Sequence, residues 1–72
     1  MDLINKLKNN GNRITESRST ICKILEESGH DHFTADKLYQ LALKRVQDID
    51  LATVYRTLEI LESLDLVEFY KS

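Results

Sequence analysis

Apolar residues recur every three or four positions along almost the whole of this chain, and no proline interrupts them. That period is the signature of amphipathic helices, one after another. Leu3 and Leu7, one turn apart, mark a first helix over about Asp2 to Asn10, which stops at Gly11, a good C-terminal cap. Thr15 can N-cap a second helix running to Ser28, with Ile21, Ile24 and Leu25 inward and Gly29 ending it. A polar loop, 29–33, leads to Thr34, another N-cap, and Asp36 sets a negative charge in the first turn, where the helix dipole favours it. This third helix, to about Val46, buries Leu38, Leu41, Ala42 and Val46. After the break Gln47-Asp48-Ile49-Asp50, Asp50 caps a fourth helix from Leu51 to about Leu64. Leu51, Val54, Leu58 and Leu61 fall on one stripe of it at about 100° per residue. The segment Leu66 to Lys71 reads as a strand.

Two helices joined by a break of a few residues, the second running directly into a strand, describe a winged helix-turn-helix. The expected fold is mainly α, with four helices followed by one strand of an incomplete wing. Seventy-two residues make a single domain, 1–72, with a modest core. One strand cannot form a sheet, so the expectation is the front piece of something longer. A small helical bundle with no nucleic-acid role is the plain alternative on architecture alone.

No apolar run approaches the roughly 20 residues of a membrane span, and the polar N-terminus lacks the apolar centre of a signal peptide. A single cysteine makes no disulfide framework. The expected location is the cytoplasm. The formal charge of −2 runs against DNA binding, for which basic domains are usual. Its distribution is more permissive. Residues 1–23 hold five basic and two acidic side chains, whereas residues 24–72 hold five basic and ten acidic ones. One end can therefore face phosphate while the other faces solvent or a partner.

Arg56 lies nearly opposite the stripe of the fourth helix, flanked by Ala52, Thr53 and Tyr55. A recognition helix needs that division between an anchoring apolar face and a short or polar outer one. Small Ala52 permits close approach. Thr53 and Tyr55 can hydrogen-bond phosphate or pack on a thymine methyl, and Arg56 can pair with phosphate or bidentately with guanine. The competing reading has Tyr55 covering the edge of the core and Arg56 solvated, its stem on Ala52.

The blocks Gly11 to Thr15, Arg18, Ile24-Leu25, His32 to Tyr39, Ile49 to Leu58, Leu61-Glu62 and Leu66-Val67 occur in an order and spacing that resembles one known family. It is the N-terminal winged-helix domain of the ferric uptake regulator family, and the resemblance covers about residues 3 to 70. Ala52-Thr53-Val54-Tyr55-Arg56-Thr57-Leu58 is its most specific part. The resemblance implies a metal-responsive repressor that acts as a homodimer on a double-stranded, AT-rich palindromic operator. It implies Tyr55 and Arg56 in the major groove and Arg13 in the adjacent minor groove, where AT-rich sequence concentrates negative potential. Thr15 and Arg18, at a helix N-terminus, can contact phosphate. Arg18 can instead pair with Glu16 or another acid, and Arg13 can be a solvated loop residue.

His30-Asp31-His32 is a short cluster of potential ligands in a loop, too few to hold a metal and on its own more simply read as a plain surface loop. The resemblance singles out His32, since the family draws one ligand of its regulatory metal site from that position. Iron, zinc and manganese are the divalent metals it implies for a full-length parent, with no cofactor in this piece. The other ligands would come from a later dimerisation domain, and the piece alone would be monomeric. Cys22 reads as a small buried residue, and no CxxC accompanies it. Some features depart from the family: Asp65 stands where a glycine commonly ends the recognition helix, and Asp48, Asp50, Glu59 and Glu62 make the surroundings of that helix acidic. The acidic balance keeps a protein-interaction module open as a second function. An enzyme finds no nucleophile and base, no phosphate-binding loop and no paired carboxylates in a cleft.

Overall fold

The computed structural model describes residues 2–28 and 34–67. They form four helices: α1 (Leu3–Asn9), α2 (Glu16–Glu27), α3 (Ala35–Leu43) and α4 (Leu51–Ser63). Every one starts at a side chain that accepts from an amide three residues on. Asp2 takes the Asn5 N–H, Thr15 that of Arg18, Thr34 that of Lys37 and Asp50 that of Thr53. Each cap satisfies a donor that the helix cannot, an effect of about 1 kcal/mol.

Helices α1 and α4 end in the same motif. Past Asn10, the amides of Gly11 and Asn12 return to the carbonyls of Lys8 and Leu7, and Gly11 has φ +80°. Past Leu64, those of Asp65 and Leu66 return to Glu62 and Leu61, with Asp65 at φ +58°. Both are Schellman caps, whose pivot must enter the left-handed region. Asp65 holds a position that glycine occupies without strain.

The apolar stripes meet in two clusters. Ile21 and Ile24 of α2, Ala35, Leu38 and Ala42 of α3, and Val54 and Leu58 of α4 form the larger, closed by Val46 and Ile49 from the turn. Leu3 and Leu7 of α1 with Cys22 and Leu61 form the smaller, and Leu25 and Val67 touch both. So α2, α3 and α4 pack mutually while α1 lies on α2. The Leu3 amide also donates to the Glu26 carboxylate, 3.0 Å away, which ties the start of α1 to the end of α2.

Three details depart from the sequence pattern. Helix α3 ends at Leu43, because the Arg45 amide closes on Ala42 and Val46 turns under to join the core. Leu41 of α3 and Leu51, in the first turn of α4, are only half-buried. Thr57 takes the fourth fully buried place on that helix, its hydroxyl satisfied by the Thr53 carbonyl at 2.8 Å. Of the expected strand, Leu66 and Val67 are described and half-buried, and 68–71 lie outside the described residues.

Candidate nucleic-acid interface

Helix α4 divides cleanly between anchor and outer face. Val54, Thr57, Leu58 and Leu61 are buried, whereas Ala52, Arg56, Glu59 and Ser63 are exposed. At about 100° per residue the second set lies opposite the first. Ala52, one turn before Arg56, carries only a methyl group and leaves the backbone approachable there.

The other two residues of this face are half-buried. Tyr55 leans on the larger cluster, so its ring is partly committed to the core's edge. Tyrosine can bury its ring and still present its hydroxyl outward. Thr53 is the hinge of a small polar chain. Its amide donates to Asp50 Oδ1 at 2.7 Å, and its Oγ1 stands 3.5 Å from Arg56 Nη2. Hydrogen bonds from Thr53, backbone first, and the nearby Arg56 charge hold the Asp50 carboxyl below its ordinary range. The contact to Arg56 is long for a hydrogen bond and leaves the guanidinium free to extend.

Arg13, Thr15 and Arg18 form a separate group at the start of α2. Ile14 packs on the smaller cluster and anchors the segment, while Arg13 is exposed and its guanidinium has no partner among the described residues. Arg18 Nη1 donates to the carbonyl oxygen of Arg13 at 2.9 Å. Arg18 therefore braces the loop, rather than pairing with Glu16. Thr15 is exposed, and its oxygen accepts from the Arg18 amide at 3.2 Å. A hydroxyl that accepts still has its own proton to donate. The bond from Arg18 to Arg13 has no sequence signature, because it depends on how the loop after Gly11 folds back.

His30 and His32 lie outside the described residues. Among the described residues, no group of three or more histidine, cysteine, aspartate or glutamate side chains stands close enough to hold a metal. Cys22 is fully buried, and burial first, then Glu26 and Asp2, push its thiol up to about 11. It is a packing residue, not a thiolate. Among the described residues no helix is long and apolar enough to cross a membrane.

Comparison with known proteins agrees with the motif on α4. The profile described as the Ferric uptake regulator family matches residues 9–72. The peroxide-responsive repressor PerR of Staphylococcus saprophyticus is 40% identical over 67 residues, which cover 93% of this chain and 45% of that protein. The ferric uptake regulation protein of Bacillus subtilis is 38% identical over 69 residues, covering 94% of this chain and 46% of the relative. That of Legionella pneumophila is 39% identical over 67 residues, covering 93% and 49%. The chain thus spans about half the length of these curated relatives. No solved structure gives a significant match. With Ala52–Leu58 on a helix of this division and the profile spanning α2, α3 and α4, the chain belongs to the ferric uptake regulator family.

Proposed function

We propose that this chain is the DNA-reading domain of a metal-responsive transcription repressor. Helix α4 enters the major groove of a double-stranded operator, with Ala52, Thr53, Tyr55 and Arg56 against the bases and Arg13 in the adjacent minor groove. Thr15 and Arg18 lie toward phosphate, Arg18 chiefly as the brace of the Arg13 loop. The operator is an AT-rich palindrome read by a homodimer, which relates two reading helices by the same two-fold axis as the two half-sites.

The observation that carries this reading is the division of α4, whose outer face pairs a small residue with an exposed long cation one turn on. The names of the relatives support it, since one is a peroxide-responsive repressor and two are ferric uptake regulation proteins. In a longer parent, a dimerisation domain would follow, and His32 would add one ligand to a site for iron, zinc or manganese. Repression of transcription places the parent in the cytoplasm, with DNA rather than a membrane as its partner. No catalytic step belongs to this function.

Fluorescence anisotropy of an AT-rich palindromic duplex and of a scrambled one, each titrated at several salt concentrations, tests the reading. Phosphate contacts make log affinity fall linearly with log salt, by about 0.9 for each neutralised phosphate. The expected result is a steep slope on both duplexes and tighter binding to the palindrome. Weak binding to both with no salt dependence would overturn it and favour a protein partner.

A further inference from the structure

Arg56 is the one cation on α4, yet the helix begins at an exposed carboxylate that the fold holds in place. Asp50 Oδ1 accepts the Thr53 amide at 2.7 Å, and Thr53 Oγ1 stands 3.5 Å from Arg56 Nη2. The three residues sit at successive turns, so Arg56 reaches back along the helix toward the capping end, as helical side chains do. An uncharged cap of the same reach would satisfy the same amide. The negative charge must therefore be weighed separately from the cap.

A helix N-terminus with a neutral cap attracts phosphate through its free amides and dipole. Here a carboxylate already occupies that place. It opposes any phosphate that approaches the first turn of α4, and it offsets the only positive charge on the reading face. Nonspecific affinity for duplex DNA is almost entirely a phosphate effect. A base-edge contact by Arg56 survives the offset, because bidentate geometry supplies its strength.

We propose, resting on the DNA-reading function above, that Asp50 is a specificity-determining residue: its carboxylate, held at the capping end by the Thr53 amide, weakens phosphate binding at the recognition helix while leaving the exposed Arg56 guanidinium free to reach bases. The charge lowers affinity for all DNA but lowers it least where Arg56 finds its base. Loss of the charge should then tighten nonspecific binding more than operator binding.

The experiment measures the affinity of the wild-type chain, Asp50→Asn, Asp50→Ser and Asp48→Asn for two duplexes at several salt concentrations. One is the tightest duplex selected from a random-sequence library, and the other is its scrambled form. Asparagine and serine keep the cap, which circular dichroism and melting confirm. Asp48→Asn changes the net charge equally from an exposed position in the preceding turn. The expected result is an affinity for the scrambled duplex about fivefold higher in both Asp50 variants, with a gain below about twofold on the selected duplex. Asp48→Asn should change both by less than about twofold. Equal gains on both duplexes, or the same loss of discrimination in Asp48→Asn, would make the effect one of net charge and overturn the proposal. If the wild type does not distinguish the two duplexes, the DNA-reading function itself falls, and the role of Asp50 with it.

Discussion

Arg18 Nη1 donates to the carbonyl oxygen of Arg13 at 2.9 Å, so one arginine of the pair is spent in holding the backbone of the other. The Arg13 side chain is left without a partner among the described residues, at the exposed tip of a segment that Ile14 anchors below. That relationship separates a bracing role from a contacting one, and the two behave differently on mutation.

Arg18→Ala frees the loop without removing the Arg13 charge. The domain should lose about 1 kcal/mol of affinity for an AT-rich duplex and little stability, because the bond is solvent-exposed. The double variant with Arg13→Ala should lose little more than Arg13→Ala alone, since a misplaced arginine and an absent one are alike to the groove. A double-mutant cycle by anisotropy checks this. Strictly additive losses would mean that Arg18 contacts phosphate on its own account.

Asp65 repeats at the end of α4 the left-handed pivot that Gly11 supplies at the end of α1. A Cβ in that conformation costs roughly 1 kcal/mol, reduced where a short polar side chain tolerates it. Asp65→Gly should therefore raise stability by about 0.5–1 kcal/mol, a melting shift of about 2–8 °C for a domain of this size. Asp65→Val should lower it by more than that gain. A thermal melt followed by circular dichroism decides, and a lower midpoint for the glycine variant would contradict the strain.

Thr57 is fully buried and donates only to the Thr53 carbonyl, which α4 already occupies with an amide. Thr57→Val removes the donor and leaves the Thr53 carbonyl its helix amide, so no buried group is stranded and stability should move by less than about 1 kcal/mol. Thr57→Asn overfills the same site with a larger polar group and should cost more than about 2 kcal/mol. Urea unfolding of the two variants measures both.

Cys22 titrates near 11 when folded against an ordinary value of 9.0, chiefly because it is buried. A raised folded value favours the neutral thiol, so its contribution is fully present below pH 9 and fades as pH climbs toward 11. Wild type should therefore lose stability over that window more steeply than Cys22→Ala, which lacks the group. At pH 8, alkylation of the folded chain should be far slower than of the chain in denaturant. Equal rates would show the thiol to be open.

The elements were legible wherever a local rule governs them. Thr15, Thr34 and Asp50 cap the helices that their positions announced, and Val54, Leu58 and Leu61 line the buried side of α4. Local rules fail where the chain crosses itself. Leu3 meets Glu26 across 23 positions, and Arg18 reaches back past the Thr15 cap to the Arg13 carbonyl. Thr57 escaped the apolar stripe because its hydroxyl disguises a core position, although its bond to Thr53 makes it one. Arg56 and Ala52 could be assigned to the outer face by helical geometry alone, whereas the polar chain from Asp50 through Thr53 needed coordinates.

Whether the outer face of α4 reads sequence is decided by the ratio of affinities for a selected duplex and its scramble in Arg56→Ala. The side chain is exposed and makes only a long contact to Thr53, so the fold should stay intact by circular dichroism. The ratio should fall by about tenfold or more, the worth of one bidentate base contact. An unchanged ratio, with both affinities lowered alike, would make Arg56 a phosphate contact and contradict sequence reading by this face.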